Sequence, residues 1–371
     1  MTKKIITFCY IFLTSFCFSQ AISLSNKSKI SILTCGVGPE SYTMYGHTAI
    51  RIQDEISGFD VVYNYGAFDF STQNFILKFV KGDLQYFVTN SSFIDFYYNY
   101  KEENREIIEQ ELHLSTNQIN QIFQQLNAAV YSENKYYTYK FIHQNCTTMV
   151  VDKLNETLGN QSIKSQTKNI TYREVLYPYM TNFYMKLGIQ LIFGSKVDQP
   201  ANAVFLPYHF KNSIANTNYN GKKLEKSTTI LLASTPNATV FNFLNSIYSL
   251  LLILVLLAIF STTNIRIIYF IISGLLGVFF FLVGFYSWHE EITSNYNMLL
   301  FNPLLLFLAY FMYKKNNAKI KLWSKINLFL LIVYLFFMFD KIHLQIIWPF
   351  ILLHSYWFLL FLKSKKNSIQ N

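Results

Sequence analysis

Residues 47–66 read HTAIRIQDEISGFDVVYNYG. HTAIRIQ and DVVYNYG are short β-rich runs, and the turn DEISGFD between them predicts a hairpin. Upstream, KISILTC (29–35) alternates apolar and polar residues, and residues 28–112 as a whole read as strand-rich. From Leu114 the pattern turns helical: LSTNQINQIFQQLNAAV takes Ser115 or Thr116 as N-cap and sets Ile119, Ile122, Phe123 and Leu126 on one face. KYYTYKFI (135–142) reads as a strand, and HQNCTTMVVDKLNETL (143–158) has helical periodicity through Met149, Val150, Leu154 and Leu158. The segment is therefore α+β. No internal repeat is visible. Residues 159–235 are rich in Asn, Ser, Thr and Lys, with apolar islands at VLYPYM, IQLIFG and AVFLPYHF, and read as a lobe leading onward.

Beyond that lobe the chain changes character. Five apolar runs lie near 241–260, 267–287, 298–313, 322–339 and 344–362. Each has about the length needed to cross, or nearly cross, a hydrocarbon core of about 30 Å at 1.5 Å per residue. The whole chain of 371 residues is 51% hydrophobic and only 14% charged, against about 25% charged in an ordinary soluble protein. That excludes a disordered chain, a disulfide-dense scaffold and a purely cytosolic enzyme. From residue 241 onward ten Lys and Arg face three Asp and Glu, which accounts for most of the net +10. These cations alternate between loops. Arg266 follows the first run, Lys314, Lys315, Lys319, Lys321 and Lys325 follow the third, and Lys363, Lys365 and Lys366 follow the fifth, while Glu290 and Glu291 follow the second. The basic excess is thus a topology signal and not a nucleic-acid surface, and it puts the C-terminus in the cytoplasm. At the other end, Lys3 and Lys4 precede the apolar stretch IITFCYIFLTSFCF, with small residues Cys17 and Ser19 ahead of Gln20. This reads as a signal peptide and gives the same orientation. The expected organisation is a signal peptide at 1–19, an external domain at 20–235 and a five-helix transmembrane bundle at 236–371.

With Cys9 and Cys17 removed, Cys35 and Cys146 remain in an oxidising compartment. They can form a structural bridge, or Cys146 can act as a nucleophile at a helix start, where unpaired N–H groups lower a thiol pKa and hold an oxyanion. A base is then required. His113 and His209 read as surface or structural residues and His143 as a neighbour or strand-end residue, whereas His47 follows Gly46 and opens a strand. Thiol enzymes of papain type place a histidine on one strand, its polar partner on the next and the cysteine at the head of a helix. His47, Asn64 and Cys146 fit that scheme in circularly permuted order. A metal centre of His47, Cys35, Cys146 and His143 lacks CxxC or HxxxH spacing, and no metal or other cofactor is expected.

ISILTCGVGPESYTMYGHTAIRI, VVYNYGAFDF, FILKFVKGDLQYFV and YKFIHQNCTTMV resemble the periplasmic N-terminal domain of the Lnb family, and SWHEEITSNYNMLLFNPL resembles that family's loop between spans. Gly-His and Asn-Cys also resemble permuted NlpC/P60-like proteins, including lecithin:retinol acyltransferase. The resemblance implies a circularly permuted papain-like (NlpC/P60-type) domain followed by five transmembrane helices in the bacterial inner membrane. It implies Cys146 as nucleophile and His47 as base. Asn64 is the expected orienting residue by analogy, with Tyr63 and Glu40 as competitors. The implied activity is apolipoprotein N-acylation, from membrane phospholipid to the N-terminal amine of a diacylglyceryl lipoprotein, through a Cys146 thioester. In the loop after the second run, His289, Glu290 and Asn297 are candidates for binding a head group or the incoming amine, against an interfacial belt of aromatic and amide groups. A cell-wall amidase or peptidase and a non-enzymatic envelope factor are the alternatives.

Overall fold

The computed structural model describes residues 23–159, 163–167, 169–235 and 241–363. The expected signal peptide, with Cys9 and Cys17, lies outside the described residues.

Among the described residues seven strands form one sheet. In chain order they are β1 (Ser28–Cys35), β2 (His47–Asp54), β3 (Phe59–Ala67), β4 (Gln85–Ser92), β5 (Ile107–Leu112), β6 (Tyr136–Thr138) and, beyond the two-residue strands β7 (Asn218–Tyr219) and β8 (Lys222–Lys223), β9 (Glu225–Leu232). The order across the sheet is β6-β4-β3-β2-β1-β5-β9, and every pair in it is antiparallel. The hairpin read at 47–66 is present as β2 and β3, with Ala49 opposite Asn64 and Asp54 opposite Phe59.

Two segments of the strand-rich region are helical instead: α1 (Phe75–Lys81) and α2 (Phe93–Glu102). Both have local stop and start signals that hydrophobic alternation hides. Gly82 ends α1 at φ 79°, a left-handed conformation open to glycine at little cost. The Ser92 side chain opens α2 by accepting from the Asp95 N–H. The expected strand at 135–142 is shorter, ending at Thr138. Helix α3 (Thr116–Val130) starts at Ser115 with a reciprocal Ser115/Gln118 capping box. Its residues Ile119, Ile122, Phe123 and Leu126 are buried against one sheet face, together with Val150, Leu154 and Leu158 of α4 (Cys146–Leu158). Each such side chain removed from water contributes about 1.5–3 kcal/mol.

The lobe that follows holds α5 (Tyr172–Leu176), α6 (Phe183–Ile192) and α7 (Pro207–Asn216). The apolar islands of the sequence supply its core, including Val175, Leu176, Met180, Phe193, Phe205 and Leu206. The chain then returns to the sheet, adding β9 as an edge strand beside β5.

The C-terminal region is helical: α8 (Ile247–Phe260), α9 (Thr263–Tyr286), α10 (Leu305–Tyr313), α11 (Asn317–Met338) and α12 (Leu344–Lys363). Among the described residues three of these, α9, α11 and α12, are long and apolar enough to cross a membrane. Helix α8 has 14 residues and α10 only nine. The run at 298–313 does not become one helix because Pro303 cannot donate to an α-helical ladder, and a 3-10 turn at Tyr296–Leu299 precedes it. The polypeptide between α9 and α10 is instead folded against the lobe.

Arg173 joins the two regions from a position only 1% exposed. It donates to Asp198 Oδ1 at 2.7 Å, Gln190 Oε1 at 2.8 Å, Gly194 O at 3.0 Å and the Tyr296 hydroxyl at 3.0 Å. Removing one partner of such a buried pair strands the other charge and costs about 3–5 kcal/mol. Arg173→Ala is expected to destabilise the full chain in detergent by that amount in chemical unfolding. Lys153→Ala, which loses only a surface pair with Glu156 at 2.8 Å, is expected to change stability by less than about 1 kcal/mol.

Candidate active site

The start of β2, the end of β3 and the start of α4 meet at one point. Gly46 makes the approach possible: its φ is +80°, and a Cβ there would stand 2.5 Å from the Cys35 carbonyl oxygen. His47 follows as the first residue of β2, opposite Cys35. Asn64 lies opposite Ala49, two residues along β2 from His47, so strand alternation turns the Asn64 and His47 side chains to the same face. His47 Nε2 and Asn64 Oδ1 are 3.2 Å apart. Tyr63 points to the other face, where its hydroxyl donates to Asn127 Oδ1 at 2.7 Å. Glu40 sits exposed in the turn before β2, and its carbonyl accepts from the Thr43 N–H and hydroxyl.

Cys146 is the first residue of α4. The helix start is fastened to β2 by a buried hydroxyl pair, Thr48 Oγ1 to Thr147 Oγ1 at 2.9 Å. Since each threonine is next in sequence to a site residue, this contact sets Cys146 beside His47. At Gly66 the β3–β4 register shifts and φ is +104°. A Cβ on Gly66 would lie 3.5 Å from Cys146 Cβ and 3.9 Å from His47 Cε1, so its missing side chain keeps the space over both open.

Burial pushes the Cys146 thiol up, but the charge and hydrogen bond of the His47 imidazole outweigh it, helped by the Thr48 backbone and the Thr147 hydroxyl. The thiol is left below its ordinary value. With Nε2 engaged by Asn64, the ring nitrogen left to exchange a proton with the thiol is Nδ1. Cys35 is the contrast: also free, fully buried, and pushed by burial up to about 12. Both thiols are free, so the Cys35–Cys146 bridge weighed from the sequence is absent.

The donors at the helix start are set by the cap. Asn145 is the N-cap, and its Oδ1 accepts from the Thr147 N–H at 2.9 Å and the Thr148 N–H at 3.0 Å. Its amide donates to the Phe141 and Phe205 carbonyls. The cap uses the next two backbone donors and its own side chain, which leaves the Cys146 N–H as the donor at the helix start that no cap consumes.

Other histidines lie apart. His113 Nδ1 meets the Lys223 carbonyl at 2.9 Å, and His209 is held below its ordinary pKa by burial. His143 is exposed and lines a separate cavity of about 570 Å³ with Asp152 and Lys164.

The three residues expected to bind substrate in the loop after α9 are not gathered into one site. Asn297 is fully buried; its amide donates to the Gln190 and Leu191 carbonyls and its Oδ1 accepts from the Tyr334 hydroxyl at 2.7 Å. The structure thus uses it as a brace between lobe and helices. His289 Nε2 meets the Phe79 carbonyl at 2.8 Å, tying the loop to α1. Glu290 is exposed and pairs with Lys196 at 3.2 Å. The neighbouring Glu291, not singled out from the sequence, is 4% exposed and accepts from the Ile142 N–H at 3.2 Å, four residues before Cys146. Nothing local distinguishes the two adjacent glutamates; only the docked surface does.

Fold and site define a membrane protein whose N-terminal antiparallel-sheet domain gathers a cysteine, a histidine and an asparagine. The chain belongs to the Lnb family: residues 18–178 match the Lnb N-terminal periplasmic domain, and residues 229–367 match the Lnb transmembrane domain. It is therefore a membrane protein with a periplasmic N-terminal domain. No curated protein and no solved structure matches it.

Because His47 holds the Cys146 thiol down against burial, replacing it leaves the burial uncompensated. The pH at which iodoacetamide alkylation of Cys146 reaches half its maximal rate is expected to rise in His47→Ala. Peptide mapping by mass spectrometry reads this, with Cys35 unmodified across the neutral range.

Proposed function

We propose that this chain is a cysteine-dependent lipoprotein N-acyltransferase of the inner membrane, with a permuted papain-like domain (20–235) outside and five membrane passes (236–371) ending in the cytoplasm. Cys146 is the nucleophile, His47 the base and Asn64 the residue that orients the imidazole. The observation that carries this reading is the 3.2 Å contact between His47 and Asn64 beside a helix-initial cysteine whose thiol is lowered by that histidine.

The chemistry comes from these groups. The Cys146 thiol gives its proton to His47 Nδ1, and the thiolate attacks an ester carbonyl of a phospholipid. The Cys146 N–H faces the developing oxyanion. Collapse breaks the ester C–O bond, and the lyso-phospholipid oxygen leaves with the proton carried by His47. The acyl group stays on sulfur as a thioester. The neutral α-amine of a lipoprotein's N-terminal diacylglyceryl cysteine then attacks the same carbonyl. Collapse expels the thiolate and forms the amide, while the amine's proton passes to His47 and from there to the Cys146 sulfur, which restores the starting thiol.

Amine attack outruns hydrolysis only where water is scarce and the amine is held within reaction distance. Both substrates are lipid-anchored, which makes a membrane-docked thiol domain the economical arrangement. Its attachment to the end of α9, where Ser287 Oγ donates to the Val80 carbonyl at 2.6 Å, supports this. So does the charge pattern: Arg266 and the lysines at 314–325 stand at the helix ends away from the domain. The passes contributed by α8 and α10 are the short ones, with 14 and nine helical residues. Of the three loop residues, Glu290, exposed and paired with Lys196 at 3.2 Å, is our candidate for meeting the lipoprotein's amine.

The test is chemical capture. Full-length protein incubated with phospholipid vesicles is expected to carry one hydroxylamine-sensitive acyl group on Cys146, discharged by a diacylglyceryl peptide with a free N-terminus. Cys146→Ser is expected to lose both the adduct and peptide N-acylation by at least about 10³-fold. Continued N-acylation by Cys146→Ser would overturn the reading.

A further inference from the structure

Helix α1 is apolar on its open side. None of its residues is buried; Ile76 is 73% exposed and Leu77 62%, and Phe70 just ahead is 66% exposed. On a water-facing helix such a cluster has no reason to persist, and contiguous exposed apolar surface of this kind marks a binding face.

Its depth relative to the membrane is set by hydrogen bonds. The last carbonyls of α1 are satisfied by residues immediately after Tyr286, the end of the 24-residue apolar helix α9. Val80 O accepts from Ser287 Oγ at 2.6 Å, Lys81 O from Trp288 N at 2.7 Å, and Phe79 O meets His289 Nε2 at 2.8 Å. Helix α1 therefore lies at the level where a membrane-spanning helix emerges. Lys81 Nζ stands 4.4 Å over the Trp288 ring and pairs with Asp83 at 2.7 Å, and Lys78 is the other cation of the helix, whose first turn has no acid. Tryptophan and lysine together are the side chains of the head-group zone.

From this face an aromatic path leads inward. Phe75 and Phe70 are 5.2 Å apart, Phe70 and Phe68 4.8 Å, Phe68 and the buried Tyr86 5.1 Å, and Tyr86 and the buried Tyr137 6.3 Å, centroid to centroid. Phe68 is two residues from Gly66, whose open side faces Cys146 and His47.

We propose that α1 dips into the outer leaflet of the bilayer and that this aromatic path draws one acyl chain of a phospholipid up toward Cys146. The occupant is a membrane glycerophospholipid, its phosphate near Lys78 and its chain against Phe70, Phe75 and Phe68. The acyl path rests on the proposed thiol chemistry of Cys146; the membrane contact does not.

Site-specific photocrosslinking separates the two. Full-length protein in nanodiscs of phosphatidylethanolamine and phosphatidylglycerol carries p-benzoylphenylalanine at one of two exposed positions, Leu77 or Ile56. Ile56 is 68% exposed in the β2–β3 turn, at the far end of an eight-residue strand from His47, about 25 Å away. Lipid adducts are expected at least tenfold more often at position 77 than at 56. Equal yields, or none at 77, overturn the membrane contact. The variant Phe70→Ser, which removes an exposed ring of the path and leaves Ile76 and Leu77 in place, is expected to slow acylation of Cys146 from vesicles at least tenfold while its iodoacetamide alkylation stays unchanged. Unchanged acylation overturns the acyl path. Strong adducts at 77 with no thioester on wild-type Cys146 defeat the thiol chemistry and the path that rests on it, and leave the membrane contact standing.

Discussion

The hydroxyl pair between Thr48 and Thr147, 2.9 Å apart and closed to solvent, is the contact on which the site depends. Neither hydroxyl can reach water, so each must find a partner inside the protein, and a buried polar group left unmade costs about 1–3 kcal/mol. The least costly solution is the observed one, and it leaves helix α4 little freedom to slide or turn on β2. A shift of one residue along the strand would bring Ala49 or His47 opposite the helix start, neither of which offers a hydroxyl there. The positions of Cys146 and His47 are fixed by that constraint, ninety-nine residues apart in sequence.

A second layer holds the loop that carries Cys146 to the membrane region. Lys140 Nζ donates to the Gly82 and Trp288 carbonyls, and Glu291 accepts from the Ile142 N–H. Gly194 N donates in turn to the Glu291 carbonyl, and Gly194 tolerates no side chain because a Cβ would fall 1.7 Å from the Thr293 carbonyl oxygen. Arg173 with Asp198 and Tyr296 closes the same junction. Polar groups thus join the sheet domain, the lobe and the helices where apolar packing alone would permit sliding. Directional bonds of this kind hold the sheet domain at a fixed height relative to the helices.

Much of this architecture is legible in the residue order, and the gaps have identifiable causes. The faces of α3 and α4 are readable because a 3.6-residue period repeats locally. The hairpin is readable from its β-rich arms and turn. Helices α1 and α2 escape such a reading because FILKFVK and FIDFYYNYKE are apolar and aromatic enough to pass as strands, and only the Gly82 stop and the Ser92 cap betray them. The choice between Asn64 and Tyr63 turns on strand parity, which neighbours in the chain share and only pairing resolves.

Left to itself, the order of amino acids determined what depends on near neighbours: an apolar C-terminal region, an α+β segment before it, a cysteine at the head of a helix and a histidine released by glycine at the head of a strand. Tertiary structure alone decided which of those groups meet. It paired Asn64 with His47 by register, buried Cys35 as a free thiol, made Asn297 a brace and Glu291 a tether, and fastened α1 to the loop after α9. The physical reason is that side-chain partnership is settled by the burial and hydrogen bonding of groups far apart in the chain, and no local pattern records those.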